Sequence, residues 1–128
     1  MHRSDVAFRV HGSAPDVMAD KHRLEQVLIN VMRNACDSGS DTVDVHLGHA
    51  DGIAHICVKD RGVGLQGMSV HDMFEPFKSS RASGDGMGLG LSISAEIVNQ
   101  HGGRIWAEEN PTGGLSVHIH LPEVGGTR

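Results

Sequence analysis

The sequence predicts one α/β domain, residues 1–128, in which helices and strands are mixed along the chain. Apolar residues recur at helical spacing between residues 22 and 36, and again after a glycine run that ends at Gly90. Alternating apolar residues on both sides of Asp51-Gly52 indicate a β-hairpin, because Asp-Gly is a favoured two-residue turn. The predicted strands cover residues 6–10, 42–49, 53–60, 104–108 and 115–121, and the predicted helices cover 22–36 and about 91–100.

Composition limits the class of partner. A net charge of −5 leaves no basic surface for nucleic-acid phosphates. No apolar run is long enough to cross a bilayer and no signal peptide opens the chain, so we expect no membrane contact by these residues. The cysteine usage indicates a reducing, cytoplasmic setting, with a membrane tether left open for the full-length protein. Cys36 and Cys57 lie in apolar segments and are expected to be free thiols. The ten histidines are scattered, and His118 and His120 alternate along a strand, so no histidine metal site is expected.

The first predicted helix carries a polar edge beside its apolar face. Asp20 precedes the helix as a plausible N-cap. Asn30 and Asn34 are four residues apart and Asp37 follows three residues later, so the three side chains lie near one stripe. Two interpretations stay open for this stripe: a solvated helix edge, or an oxygen-lined site for a hard cation such as Mg²⁺.

The second strand of the hairpin ends in Asp60-Arg61-Gly62-Val63-Gly64. A carboxylate at a strand end, followed by two glycines that expose it, suits recognition of a ligand amino group. An ordinary turn after a strand explains the same residues equally well.

A long connection, residues 66–83, follows this strand. It contains Phe74-Glu75-Pro76-Phe77 and the cations Lys78 and Arg81. Connections of this length within compact domains are often functional, so we interpret it as a lid.

Glycine occupies every second position from Gly84 to Gly90, immediately before the second helical pattern. Without a Cβ atom, such a backbone brings its N–H groups close to an anion, and a helix N-terminus favours phosphate. A plain hinge is the alternative, because glycine-rich loops serve that purpose too.

In this order, the motifs resemble the ATP-binding catalytic domain of bacterial sensor histidine kinases, in the superfamily that includes gyrase, Hsp90 and MutL. The resemblance covers residues 6–122. The family's asparagine box resembles LEQVLINVMRNA at 24–35, its first glycine box DRGVG at 60–64, its phenylalanine box FEPF at 74–77 and its second glycine box GMGLGL at 86–91. HGGRI at 101–105 and GGLS at 113–116 also agree.

The resemblance implies a two-layer α/β sandwich, the Bergerat fold, with a mixed, largely antiparallel sheet on one side and helices on the other. ATP is expected between the helices and the lid. Asp60 is expected to accept a hydrogen bond from the adenine amino group, and Gly62 and Gly64 to let the backbone pass close to the base. A guanine carbonyl there would leave the carboxylate unpaired, which favours adenine. Ser116 aligns with a hydroxyl position near the adenine.

At the phosphate end, the resemblance implies that Asn34 holds Mg²⁺ through its side-chain oxygen, assisted by Asn30. Lys78 or Arg81 is expected to reach the γ-phosphate from the lid, or else to remain a solvated loop cation, an alternative that fits Lys78 better. Asn34 and Arg81 are therefore the expected catalytic residues. Asp37 makes the phosphate neighbourhood less positive than is usual in the family. The second glycine box is expected to wrap the phosphates with Gly86, Met87, Gly88, Leu89, Gly90 and Leu91.

One departure from the superfamily predicts the reaction. Members that hydrolyse ATP carry a glutamate general base four residues before the metal asparagine, where this chain has Asn30. An amide cannot take up a proton at neutral pH. We therefore expect a kinase that binds ATP or ADP and transfers phosphate to a histidine on a separate dimerisation domain, and so indirectly to a response regulator. A serine kinase of the anti-sigma-factor type and a nucleotide sensor without transfer are the alternatives.

A phosphoacceptor site is not expected within these residues. His71-Asp72-Met73-Phe74-Glu75-Pro76 has the order of such a motif, but it overlaps the phenylalanine box and lies in the predicted lid. No helical hairpin precedes the first predicted strand, so we expect the chain to be a fragment of a longer kinase.

Overall fold

The computed structural model describes residues 7–12, 21–37, 39, 41–64, 69–70, 72–75 and 90–122. The elements are β1 (Ala7–Gly12), α1 (Lys21–Asp37), β2 (Thr42–Ala50), β3 (Ile53–Lys59), a short 3-10 helix (Asp72–Phe74), α2 (Gly90–Gln100), β4 (Arg104–Glu109) and β5 (Leu115–Pro122). The predicted helices and strands are confirmed in type and order. β1 runs two residues beyond the predicted strand, through Gly12. The predicted N-cap Asp20 lies outside the described residues.

The strands form one five-stranded sheet in the order β1-β2-β3-β5-β4. β1 pairs with β2 in parallel and the other three pairings are antiparallel, so the sheet is mixed and largely antiparallel as expected. The hairpin turn between β2 and β3 has positive φ at both central residues, 54° at Asp51 and 79° at Gly52. This is the backbone conformation that favours Asp-Gly in two-residue hairpins.

Both α-helices pack on one face of the sheet and form an aliphatic core with it. Val27 and Val31 of α1 are fully buried against this face, as are Val43 of β2 and Ile119 of β5. The opposite face carries the alternate residues of each strand, because successive side chains of a strand point to opposite sides. Among the described motif residues, Asp60 follows β3 directly, Asn30 and Asn34 lie in the second half of α1, and Gly90 opens α2.

The end of α2 is fixed by a glycine cap at Gly102. The Gly103 N–H donates to the Val98 carbonyl at 3.0 Å, the Gly102 N–H donates to the Asn99 carbonyl at 3.0 Å, and φ is +77° at Gly102. These two bonds are the Schellman pattern. They turn the chain directly from α2 into β4.

The structure also bears on the two cysteines and on the question of a membrane-spanning helix. Cys57 is a buried free thiol, and burial raises its pKa; Cys36 is a half-buried free thiol. In the described part of the chain, no helix is long and apolar enough to span a membrane.

Candidate nucleotide site

Asp60 lies directly after β3 and is almost completely buried, with 2% of its surface exposed. Its Oδ1 atom accepts the N–H of Gly62 at 2.9 Å and the N–H of Leu115 at 3.2 Å. Its own N–H donates to the Leu115 carbonyl at 2.9 Å, which continues the β3–β5 pairing by one residue. The carboxylate is therefore held in one orientation by backbone groups from two separate segments.

The turn after Asp60 brings the first glycine box against β4. Gly62 contributes the N–H that holds the carboxylate. Gly64 is buried, has φ of +72°, and faces Glu109, whose Oε2 lies 3.3 Å from where a Cβ on Gly64 would stand. Both donors to the carboxylate that come from the described residues reach Oδ1.

Asn110, which sequence reasoning missed, supports Asp60 from the far side. Its Nδ2 donates to the Asp60 carbonyl at 3.1 Å, its Oδ1 accepts the Ser116 hydroxyl at 2.6 Å, and its N–H donates to the Gly114 carbonyl at 2.9 Å. In the sequence, Asn110-Pro111 indicates only a turn. In the structure, Asn110 of this turn holds Asp60 in place at the end of β3.

Gly114 approaches Asp60 so closely that no side chain fits. A Cβ added to Gly114 would lie 2.2 Å from the Asp60 carbonyl oxygen, and φ is +88° at this residue. Both the contact and the backbone conformation require glycine. The GGLS motif therefore acts through its second glycine, which lets β5 begin against the end of β3.

We expect Asn110→Ala to destabilise the domain by about 1–2 kcal/mol, because it leaves the Asp60 carbonyl and the Ser116 hydroxyl without their amide partner in a buried place. Urea unfolding measures the change. Thr112→Ala, in the exposed part of the same turn, is the matched control and should have little effect. Equal stability of the two variants would contradict the supporting role of Asn110.

Ser116 belongs to the hydrogen-bond network around Asn110. Its hydroxyl donates to Asn110, and strand alternation places its side chain on the sheet face opposite the helices. Asp60 follows Lys59 and takes the helical side by the same alternation. A role of Ser116 beside the adenine stays a prediction.

The asparagine box meets the second glycine box at the start of α2. Asn30 Nδ2 donates to the Gly90 carbonyl at 3.2 Å and to Ser94 Oγ at 3.4 Å, and the Ser94 hydroxyl donates to the same carbonyl at 3.0 Å. Ser94 is fully buried, so this is an interior polar contact between the two helices. Leu91 packs into the core at 7% exposure and anchors the first turn of α2.

Asn34 follows Asn30 by one helical turn and is half-buried. Both amides therefore lie along the α1 edge that faces the start of α2. The Asn30 nitrogen donates to the Gly90 carbonyl, so the Asn30 oxygen is the amide atom that can coordinate a cation. Two amide oxygens on one helix edge are suitable ligands for Mg²⁺, so the residues present fit this ion. Asp37 ends α1, one turn beyond Asn34.

Phe74, the first residue of the phenylalanine box, lies beside α2. Met73 is buried and Phe74 packs partly against the core. Phe74 also lines an open groove of about 550 Å³ with α2 residues that include Ile93 and Asn99. The other predicted phosphate-site residues lie outside the described residues, and their roles stay predictions: Lys78, Arg81, Gly86, Met87, Gly88 and Leu89.

The comparison with protein families agrees with this geometry. The profile of the HATPase_c family, described as histidine kinase-, DNA gyrase B- and HSP90-like ATPase, matches residues 19–125. The chain belongs to the HATPase_c family. As an HATPase_c domain it is an ATP-binding catalytic module of the sensor-kinase type, which confirms the resemblance inferred from the motifs.

Sequence relatives of this HATPase_c domain are sensor kinases. It is 36% identical over 122 residues to the sensor protein FixL of Bradyrhizobium diazoefficiens, covering 91% of this chain and 24% of that protein. It is 39% identical over 124 residues to the sensor histidine kinase ZraS of Klebsiella oxytoca, covering 94% of this chain and 26% of that protein. The chain thus spans about a quarter of the length of these relatives.

Solved structures show the same fold. The mycobacterial sensor histidine kinase MprB superposes with a TM-score of 0.83 at 33% identity, over 94% of this chain and 83% of that one. The catalytic domain of histidine kinase ThkA superposes with a TM-score of 0.77 at 27% identity, over 93% of this chain and 80% of that one. The predicted α/β sandwich is confirmed.

Proposed function

We propose that this HATPase_c domain binds Mg·ATP on the helical side of the sheet and transfers the γ-phosphate to a histidine on a separate dimerisation domain. A response regulator then receives the phosphate from that histidine. The single observation that carries the proposal is the buried Asp60 carboxylate, fixed through Oδ1 by the N–H groups of Gly62 and Leu115. We place the reaction in the cytoplasm, where Cys57 remains a free thiol.

The fixed carboxylate accounts for selectivity toward adenine. In our proposal Asp60 Oδ2 accepts a hydrogen bond from the adenine amino group. Guanine presents a carbonyl at the corresponding atom, so a buried carboxylate would face a second acceptor and remain unpaired. Discrimination against GTP therefore follows from burial and orientation together. A published structure of full-length ShkA, 27% identical to this chain, is a complex with AMPPNP, which supports nucleotide binding by this fold.

The α1 edge is the proposed phosphate end of the site. Asn34 and Asn30 would hold Mg²⁺ through their side-chain oxygens, and the bound ion would neutralise charge on the phosphates. The Asn30 bond to Gly90 keeps the amide edge beside the start of α2. There the second glycine box is proposed to wrap the phosphates. Arg81 is proposed to contact the γ-phosphate, with Lys78 as the less suited cation and Asp37 lowering the local positive charge.

Transfer is favoured over hydrolysis because no proton acceptor stands at residue 30. The amide nitrogen of Asn30 donates to a carbonyl, and its oxygen does not take up a proton at neutral pH. A water molecule near the γ-phosphate would therefore lack a general base there. The imidazole of an acceptor histidine on another domain already has a nucleophilic nitrogen, so it needs no general base at residue 30.

The test is a phosphotransfer assay with labelled ATP and a separately supplied dimerisation domain. We expect Asn34→Ala to reduce transfer by on the order of 100-fold or more, because a metal ligand at the phosphates is lost. Arg33→Ala, an exposed neighbour on α1, is the matched control and should retain transfer.

The phosphorylated product separates the alternatives. Phosphohistidine is lost in acid and phosphoserine is not, so an acid-stable product would indicate a serine kinase instead. Rapid ATP hydrolysis by the domain alone, unchanged in Asn34→Ala, would contradict both kinase readings.

A further inference from the structure

Ser94 of α2 is a fully buried polar side chain to which the proposed function assigns no role. It lies one helical turn after Gly90, the first residue of α2, and its hydroxyl donates to the Gly90 carbonyl at 3.0 Å. Serine often donates to the carbonyl four residues earlier in a helix, so this bond alone indicates an ordinary buried serine. The hydroxyl also has a partner on the other helix, Asn30 of α1.

Three polar groups form a closed triangle at this contact between the helices. Asn30 Nδ2 lies 3.2 Å from the Gly90 carbonyl oxygen and 3.4 Å from Ser94 Oγ. A carbonyl oxygen only accepts, so the Ser94 hydroxyl donates its one proton to it and the Asn30 NH₂ group faces it as a second donor. Ser94 Oγ then has a lone pair left for Asn30. Each bond of the triangle therefore has a single direction.

The triangle fixes which way the Asn30 amide faces. A flipped amide would place Oδ1 against the Gly90 carbonyl oxygen and against a lone pair of Ser94, so both contacts would join two acceptors. In the bonded orientation Oδ1 points away from these two acceptors. It stays beside the start of α2, because a Cβ added to Gly90 would lie 3.9 Å from it. The oxygen proposed to assist in holding Mg²⁺ is thus next to the second glycine box.

Ser94 acts on Asn30 in two ways. Its Oγ is the second acceptor for the amide nitrogen, and its proton holds the Gly90 carbonyl, which is the first acceptor. Alanine would fill the same helix contact and is the better helix former, but it would do neither. Without the hydroxyl, Nδ2 keeps one acceptor, and the amide rotates more easily about its terminal torsion, which has no sharp preference of its own.

A second polar contact joins α1 and α2 away from the triangle. Arg23 Nη2, near the start of α1, donates to Gln100 Oε1, at the end of α2, at 2.8 Å. Asn30, further along α1, meets the opposite end of α2, so the two helices run antiparallel. The bond from Arg23 is exposed to water, whereas Ser94 is buried, where hydrogen bonds are electrostatically stronger.

We propose that Ser94 is a positioning residue for the Mg²⁺ site, because its hydroxyl holds the Asn30 amide in the orientation in which Oδ1 can coordinate the ion. The inference rests on the proposed function, in which Asn30 assists Asn34 as an oxygen ligand. Replacing a residue that holds a metal ligand through a hydrogen bond typically weakens metal binding. The effect of Ser94 should therefore appear in the contribution of Mg²⁺ to ATP binding, and not in metal-free ATP binding.

The test compares the dissociation constant of ATP in EDTA with that in Mg²⁺, by calorimetry, and their ratio is the magnesium gain. We expect Ser94→Ala to lower the magnesium gain about 3–10-fold and to change the dissociation constant in EDTA less than about twofold. Asn30→Ala should lower the gain at least as much. Adding Ser94→Ala to Asn30→Ala should cause no further loss, because Ser94 acts through Asn30. Arg23→Ala, the matched control, breaks another polar contact between the same helices and should keep the gain.

Two isosteric variants separate the hydroxyl of Ser94 from its packing. Ser94→Thr and Ser94→Val add the same volume to the buried contact, but only threonine keeps a hydroxyl that donates to the carbonyl four residues earlier. The magnesium gain should be at least about threefold larger in Ser94→Thr than in Ser94→Val. In the metal-free protein, the NMR signals of the Asn30 side-chain NH₂ group should shift in Ser94→Ala and Ser94→Val but not in Arg23→Ala.

The outcomes distinguish this inference from the proposed function. If Asn30→Ala loses the magnesium gain and Ser94→Ala keeps it, Ser94 is not a positioning residue and the proposed function stands. If Ser94→Ala weakens ATP binding equally in Mg²⁺ and in EDTA, or adds to the loss in Asn30→Ala, its role is structural and the inference is overturned. If the wild type shows no magnesium gain, or Asn30→Ala keeps all of it, the proposed role of Asn30 fails and the inference fails with it.

Discussion

Asp60→Asn is expected to weaken ATP binding by at least about 10–100-fold while leaving the domain folded. The asparagine Oδ1 still accepts the N–H groups of Gly62 and Leu115, so the buried turn keeps its hydrogen bonds. The second carboxylate oxygen becomes an NH₂ group, which meets the adenine amino group donor to donor. Loss of a hydrogen bond to a charged group costs about 1.5–3 kcal/mol, or roughly 10–100-fold in affinity, and donor repulsion adds to it. Calorimetry with ATP and GTP measures the change.

Asp60→Ala is the informative companion to this variant. It removes the acceptor of two buried N–H groups, so it should lower the stability as well as the affinity. Asp60→Asn should lower the affinity for ATP without lowering the stability of the domain. If Asp60→Asn binds ATP as tightly as the wild type, the carboxylate does not recognise adenine and the proposed nucleotide pose is wrong.

Gly114→Ala is expected to have the largest effect on stability of any single methyl addition at the site. The added Cβ would stand 2.2 Å from the Asp60 carbonyl oxygen and 2.7 Å from the carbonyl carbon, so the ends of β3 and β5 must separate. The backbone at φ +88° is also strained for alanine. We expect a loss of about 3 kcal/mol or more in the free energy of unfolding, measured in urea.

Gly113→Ala provides the control, because Gly113 also has positive φ but nothing lies within 4 Å of an added Cβ. It carries the backbone strain without the collision. The difference between the two variants isolates the close approach to Asp60. Equal destabilisation would mean that the β3–β5 junction relaxes without cost, and Gly114 would then be required for its conformation alone.

Local patterns predicted the fold well. Helical spacing at residues 22–36 and the Asp51-Gly52 turn depend on neighbours along the chain, and both are confirmed in the structure. The family motifs also predicted the mixed sheet and its two-layer packing against the helices. Because the carboxylate follows β3 directly, Asp60 could be recognised from its own segment as well.

The contacts that hold Asp60 in place could not be predicted, because they join residues that are far apart in the sequence. Asn110 reaches Asp60 across 50 residues, and the sequence around Asn110 shows only a turn. Strand register in the same way brings His55 of β3 and His118 of β5 into contact, with His55 Nε2 3.2 Å from His118 Nδ1. The register between β3 and β5 cannot be read from spacing along the chain. The sequence could therefore show neither the hydrogen bond from Asn110 to Asp60 nor the contact between His55 and His118.

The hydrogen bond between Asp60 and Leu115 joins residues 55 apart in sequence. Closing a loop of this length costs conformational entropy, and contacts of high sequence separation are associated with slow folding. The proposed adenine end of the site is therefore incomplete in any partly folded species in which β5 has not paired with β3. If Asp60 recognises the nucleotide as proposed, ATP binds only molecules in which β3 and β5 are paired, and it stabilises the completed sheet.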